Sequence, residues 1–122
     1  MNLLKKAVIL AAGKGTRLRS VSGAMPKVMM DVDGLPLLER HILWLRRYGV
    51  EQFFINLHWM PQAITENLGN GSRLGVSIQY SLEEKLQGTA GALRAFRDQL
   101  DETFLVHYGD IYSELNVADM LR

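Results

Sequence analysis

Along this chain, short apolar runs alternate with amphipathic stretches. Residues 5–10 hold a continuous apolar run, Ala7-Val8-Ile9-Leu10, that stops at a glycine-rich turn. That is the pattern of a strand buried on both faces. Residues 52–57, QFFINL, are rich in aromatic and branched side chains, and 76–80, VSIQY, alternate with period two. Residues 103–107 supply a fourth strand, ended by Gly109-Asp110. Helical patterns lie between these runs. In 35–48, LPLLERHILWLRRY, Leu38, Ile42 and Leu45 recur at helical spacing, Pro36 suits the first turn, and Gly49 stands where a C-terminal cap belongs. Residues 61–68 predict a shorter helix opened by Pro61, and 89–99 a third. Asn116 is placed to cap a fourth that runs to Arg122. GNGSRLG, 69–75, is a turn-rich connection. Strands alternating with helices predict an α/β fold, a mostly parallel sheet with flanking helices and right-handed crossovers.

Composition narrows the classes. A chain of 122 residues, 48% hydrophobic and 22% charged, is at most one ordinary globular domain. No repeat, low-complexity tract or linker divides residues 1–122. Cysteine is absent, which excludes a disulfide framework and thiolate metal sites and suits a reducing compartment. The net charge of +1 argues against broad nucleic-acid binding while leaving room for a local phosphate pocket. Lys5 and Lys6 precede six small or apolar residues, too short a run for a secretory signal, and nothing approaches the ~20 apolar residues of a membrane span. The expectation is a cytoplasmic protein with no nucleic-acid or membrane partner.

The candidate chemistry gathers after the predicted strands. Gly13-Lys14-Gly15-Thr16-Arg17 follows the first, where the glycines let backbone N–H groups converge on phosphate oxygens. Thr16 adds a hydroxyl and Arg17 a planar guanidinium able to grip two oxygens. The dinucleotide fingerprint requires glycine where Leu18 stands, and a P-loop requires Ser or Thr after Lys14, where Gly15 stands. On its own the loop also reads as a plain strand-end turn. Lys27 follows Pro26, whose fixed φ stiffens the backbone that presents it; a solvated surface lysine is the alternative. LEEKLQGTAGA, 82–92, forms a second glycine-containing turn, in which Glu83 or Gln87 could meet a nucleobase edge beside Gly88; its alternative is a helix start capped by Thr89. Asp110 closes the fourth strand as a plausible Mg²⁺ ligand or a turn-capping aspartate. Together these loops suggest a nucleotide with Mg²⁺. His41 and His58 lack metal-ligand spacing, His107 beside Tyr108 could face a site but reads rather as a core or sheet-edge histidine, Met29 and Met30 read as gap fillers, and Trp44 and Trp59 as packing residues.

LAAGKGTRL, MPKVMMDVDGLPLLER, QGTAGAL and YGD, in this order and spacing, resemble the sugar-phosphate nucleotidyltransferases. The family's signature is a strand leading into A-A-G-x-G-S/T-R-L/M, then P-K, a G-x-P-L/M element, a G-T-A-G-A-L type loop and G-D. The resemblance implies a Rossmann-like nucleotidyltransferase fold. It also implies transfer of a nucleoside monophosphate from a nucleoside triphosphate to a sugar 1-phosphate, with pyrophosphate released. Leu10, Ala11, Ala12, Gly13, Lys14, Gly15 and Thr16 would bind the nucleotide, and Arg17 would neutralise the departing pyrophosphate. Lys27 would contact the reacting phosphates. Glu83, Gln87, Gly88 and Thr89 would recognise the base, and Asp110 would bind Mg²⁺. Gln87 stands where much of the family has leucine, and Tyr108 where asparagine or a small residue is common. The QGTAGAL loop leans toward the mannose-1-phosphate guanylyltransferase-like branch.

Family catalytic domains run to roughly twice this length, so 1–122 corresponds to the N-terminal, nucleotide-binding part. Such a part should expose apolar surface and favour a homo-oligomer. Two alternatives stay open: a non-catalytic nucleotide-binding fragment or regulatory module, and a Rossmann dehydrogenase domain, which Leu18, Arg17 and Lys27 disfavour.

Overall fold

Four parallel strands in one sheet organise the chain, seen in a computed structural model. It describes residues 4–11, 19–20, 23–24, 27–29, 31–32, 34–58, 61–83, 88–100 and 103–108. For 19–20, 23–24, 27, 32, 88–90 and 108 the backbone alone is described. In chain order the elements are β1 (Lys6–Leu10), β2 (Arg19–Ser20), β3 (Gly23–Ala24), a 3₁₀ turn (Lys27–Met29), β4 (Asp31–Val32), β5 (Leu35–Pro36) and α1 (Leu37–Arg46). There follow β6 (Gln52–Leu57), α2 (Pro61–Leu68), a second 3₁₀ turn (Ser72–Leu74), β7 (Ser77–Leu82), α3 (Gly88–Ala95) and β8 (Phe104–Tyr108).

The sheet order is β7-β6-β1-β8, with every neighbouring pair parallel. Period-two alternation sends β1 and β6 side chains into two cores. Ala7, Ile9, Phe53, Ile55 and Leu57 pack with Leu38, Ile42 and Leu45 of α1 and with Ile64 and Leu68 of α2. Val8 and Phe54 face the other way, against Phe96, with Leu93 of α3 beside them. The fold is therefore the expected α/β arrangement, with helices on both faces of a parallel sheet. Among the described residues no helix is long and apolar enough to cross a membrane.

Local signals explain the helix ends. The N–H of Val50 donates to the carbonyl of Leu45 and that of Gly49 to Arg46, with Gly49 at φ 100°. This Schellman motif confirms the expected stop, since a side chain at positive φ would be strained. At the other end the structure differs slightly from expectation. Pro36 pairs with Asp31 across the short β4–β5 ladder and sits just outside α1 with ψ 142°, so the helix begins at Leu37 and not at 35. α3 stops at Ala95 because Phe96, Arg97 and Gln99 donate to carbonyls three residues back, tightening the chain into turns. The helix foreseen from Asn116 lies outside the described residues, as do Trp59 and Met30.

The 69–75 connection is bound closely to its surroundings. Arg73 meets the buried Glu39 of α1 at 2.7 Å, and Arg46 donates to the carbonyl of Leu74 at 2.6 Å. Gly71, at φ 90°, receives a hydrogen bond from Val76 and donates one to Leu68. The Tyr80 hydroxyl donates to the carbonyl of Gly69 at 2.6 Å, and burial pushes its phenol up to about 12. A pKa raised above its unfolded value of about 10 favours the protonated form in the folded state. The corresponding stability is fully present below pH 10 and is lost as pH rises toward 12. Phenolate absorbance should show a late-ionising component that Tyr80→Phe removes. A wild-type titration in which every tyrosine ionises near pH 10 would refute this.

Candidate functional site

All four strands run the same way, so their carboxyl ends share one edge of the sheet. The chain leaves β1 and crosses over to β6 and β7 on one side of it, then returns through α3 to β8 on the other. The order reverses between β1 and β8. In open α/β sheets, ligands bind in the crevice outside the carboxyl ends at such a reversal. Leu10 pairs with Tyr108 across this point, so the exit of β1 and the exit of β8 lie side by side. On the far side of β1, Leu10 also pairs with Asn56, and Asn56 with Ser81. The three turns singled out in the sequence thus leave from one edge.

Polar groups concentrate there. Asn56 ends an otherwise apolar strand and is only 4% exposed. Its side-chain oxygen accepts the Ala11 N–H at 2.7 Å, and its nitrogen donates to Glu83 Oε2 at 3.0 Å. Glu83 is 3% exposed; its N–H donates to the Leu57 carbonyl at 2.7 Å, and its own carbonyl lies 2.6 Å from His58 Nδ1. Among the described residues no buried side-chain nitrogen or oxygen lacks a partner. A buried amide and carboxylate are tolerable only under that condition.

The sequence-derived residues divide accordingly. Leu10 closes β1, with its side chain against the Val8–Phe54–Phe96 core. Ala11 is buried and its N–H is engaged by Asn56. Glu83 is interior, with a carboxylate oxygen turned to Asn56. Gly88 and Thr89 belong to the first turn of α3, so Thr89 is inside the helix and not at its cap. Lys27 opens a 3₁₀ turn whose next two residues, Val28 and Met29, are buried in the main core, which anchors its backbone. Ala12, Gly13, Lys14, Gly15, Thr16, Arg17, Gln87 and Asp110 lie outside the described residues.

Asn56 and His58 are the site residues that sequence reasoning passed over. The available signal was a lone amide in the apolar run QFFINL, placed at the strand's carboxyl end. The histidines also meet unexpectedly. His107 Nε2 of β8 lies 3.1 Å from His41 Nδ1 of α1, one ring donating to the other, with Trp44 beside His107. No cluster of three metal-ligating side chains occurs among the described residues.

Comparison with known proteins supports the fold. A family model described as nucleotidyl transferase matches residues 6–122. N-acetylmuramate alpha-1-phosphate uridylyltransferase of Neisseria meningitidis serogroup B is 37% identical over 113 residues, 91% of this chain and 49% of that protein. Mannose-1-phosphate guanylyltransferase of Mycobacterium tuberculosis is 34% identical, over 94% of this chain and 32% of its own length. The crystal structure of HddC from Yersinia pseudotuberculosis complexed with GMP-PN superposes with a TM-score of 0.82 at 32% identity, covering 97% of this chain and 53% of that one. The chain spans about half, or less, of the length of the relatives it matches.

Proposed function

This chain belongs to the nucleotidyl transferase family, and from that premise we propose that it forms the nucleotide-binding part of a sugar-1-phosphate nucleotidyltransferase. The observation that carries the proposal is the common exit of β1, β7 and β8 at one sheet edge, with the order reversal between β1 and β8. A glycine-rich loop, a second glycine turn and a carboxylate follow those three strands in sequence.

In the proposed reaction, a phosphate oxygen of the sugar 1-phosphate attacks the α-phosphorus of the nucleoside triphosphate in line. A new P–O bond forms, the α–β bridge breaks, and pyrophosphate leaves with the electron pair. No enzyme nucleophile is needed, so catalysis reduces to positioning and charge stabilisation. Backbone amides from Ala12 to Thr16 hold the triphosphate, Arg17 neutralises the leaving pyrophosphate, and Lys27 contacts the reacting phosphates. Gln87, Gly88 and Thr89 meet the base. Asp110 follows β8 by two residues, and β8 ends opposite Leu10; this register is compatible with a carboxylate that holds Mg²⁺. Mg²⁺, when bound, neutralises phosphate charge. We take guanine as the preferred base from the QGTAGAL loop, and the cytoplasm as the site of action from the cysteine-free composition. β8 is an edge strand among the described residues, and its Phe104, Leu105 and Val106 are only partly buried, which supports self-association.

Pyrophosphate release, measured with Mg²⁺ and pairs of GTP or UTP with mannose or glucose 1-phosphate, tests the proposal. Turnover is expected, and Arg17→Ala should lower it about a hundredfold, the loss typical of one charge-stabilising donor. Light scattering on the same preparation reads the self-association; a monomer at high concentration would remove that part. The second reading is a nucleotide-binding module without turnover. Nucleotide binding with no turnover for any pair would select it.

A further inference from the structure

Asn56 is chemically out of place unless its two hydrogen bonds matter. Valine or isoleucine would serve β6 as well and would avoid burying an amide, which costs about 2–7 kcal/mol when its partners are missing. Both partners here come from strand exits on either side of β6. Ala11 is the last described residue before the glycine-rich loop 12–18, and Glu83 the last before 84–87. The amide is planar and rigid, so an acceptor contact of 2.7 Å at one end and a donor contact of 3.0 Å at the other fix how far apart the two exits stand. The Glu83 backbone is itself held by Leu57 and His58, which fixes the chain where it leaves β7.

We propose that Asn56 is a positioning residue that sets the spacing between the phosphate-holding loop after β1 and the base-reading loop after β7. A bound nucleoside triphosphate then meets both loops at once. Glu83 acts through Asn56 as the anchor of the second loop, in place of the direct base contact its sequence position suggested. The inference rests on the nucleotide-binding reading above, and the two can fail separately.

The test compares ligands that span the loops with one that does not. Binding of GTP, UTP and tripolyphosphate is measured by calorimetry in the presence of Mg²⁺ on the full chain. Three forms are compared: wild type, Asn56→Asp, and the double variant Asn56→Leu/Glu83→Met. Asn56→Asp keeps the acceptor for Ala11 and loses the donor to Glu83. The double variant replaces the Asn56 and Glu83 side chains with apolar groups of similar size, so neither is left facing an unpaired partner in the other, while the Ala11 N–H loses its acceptor at a cost of about 1–3 kcal/mol. In both variants the dissociation constant for the preferred nucleoside triphosphate should rise about tenfold, the worth of one charge-assisted hydrogen bond. The preference between GTP and UTP should fall with it, while tripolyphosphate binding stays within about twofold, since that ligand needs only the first loop. Equal weakening of all three ligands would reduce Asn56 to a structural residue and overturn the proposal, as would unchanged nucleotide binding. Wild type that binds neither nucleotide nor tripolyphosphate would overturn the nucleotide reading itself, and this inference with it.

Discussion

Phe53→Ala is expected to lower the stability of the folded chain by about 3–5 kcal/mol, the usual cost of deleting a buried aromatic ring. Phe53 is fully buried, in β6, one strand in from the sheet edge. Its Cα neighbours are Ala7 of β1 and Ile78 of β7. The ring packs in the same core as Ala7, Ile9, Leu38 and Ile42. β6 is paired on both sides, which limits how far this strand can shift to close the void. Because whole domains are stable by only about 5–15 kcal/mol, the loss takes up about a fifth or more of that margin. In urea, followed by circular dichroism, the midpoint should fall while the slope is kept. An unchanged midpoint would contradict the core assigned to β6.

Gly71→Ala is the second large effect, and it acts through backbone geometry. At φ 90°, a Cβ would stand 2.7 Å from the carbonyl oxygen of Val76 and 2.8 Å from Cγ1 of Ile78. The oxygen belongs to backbone that cannot swing away, because the Val76 N–H is bonded to Gly71 itself and the Ile78 N–H to Asn70. Positive φ costs a side chain about 1–2 kcal/mol and overpacking a further 1–3, so the expected loss is about 2–5 kcal/mol. Gly69→Ala supplies the contrast. Its φ is 55° with nothing near the would-be Cβ, so only the smaller conformational cost applies. Equal denaturation midpoints for the two variants would show that the clash at Gly71 is relieved by a backbone shift.

The central strands were legible because both their faces are buried. A run such as Ala7-Val8-Ile9-Leu10 has no polar face to mask it, and β1 and β6 appear within a residue of expectation. Pro61 and Gly49 marked helix ends through their fixed or positive φ, and α2 spans the expected 61–68. The two-residue strands β2 to β5 could not be foreseen, since two residues carry no periodicity. The placement of the candidate site at the β1, β7 and β8 exits followed from parallel strands alone. The tie through Asn56 did not, because pairing a residue of β6 with both Ala11 and Glu83 depends on strand order. Sequence alternation is silent about that order. The same is true of His41 and His107, brought together across 66 positions.

The position of β1 between β6 and β8 also has a consequence for how the chain acquires its fold. Lys6 must find Gln52 on one side and Phe104 on the other, the second partner about a hundred residues away. Parallel pairing over such separations closes long loops before it gains contacts, which slows folding relative to helical or hairpin-rich chains. During synthesis at roughly 5–20 residues per second, the first strand waits for several seconds before its last neighbour exists. Until then one flank of this apolar strand is open. The chain's period of greatest exposure to misassembly therefore falls while it is still being made, and ends when β8 emerges.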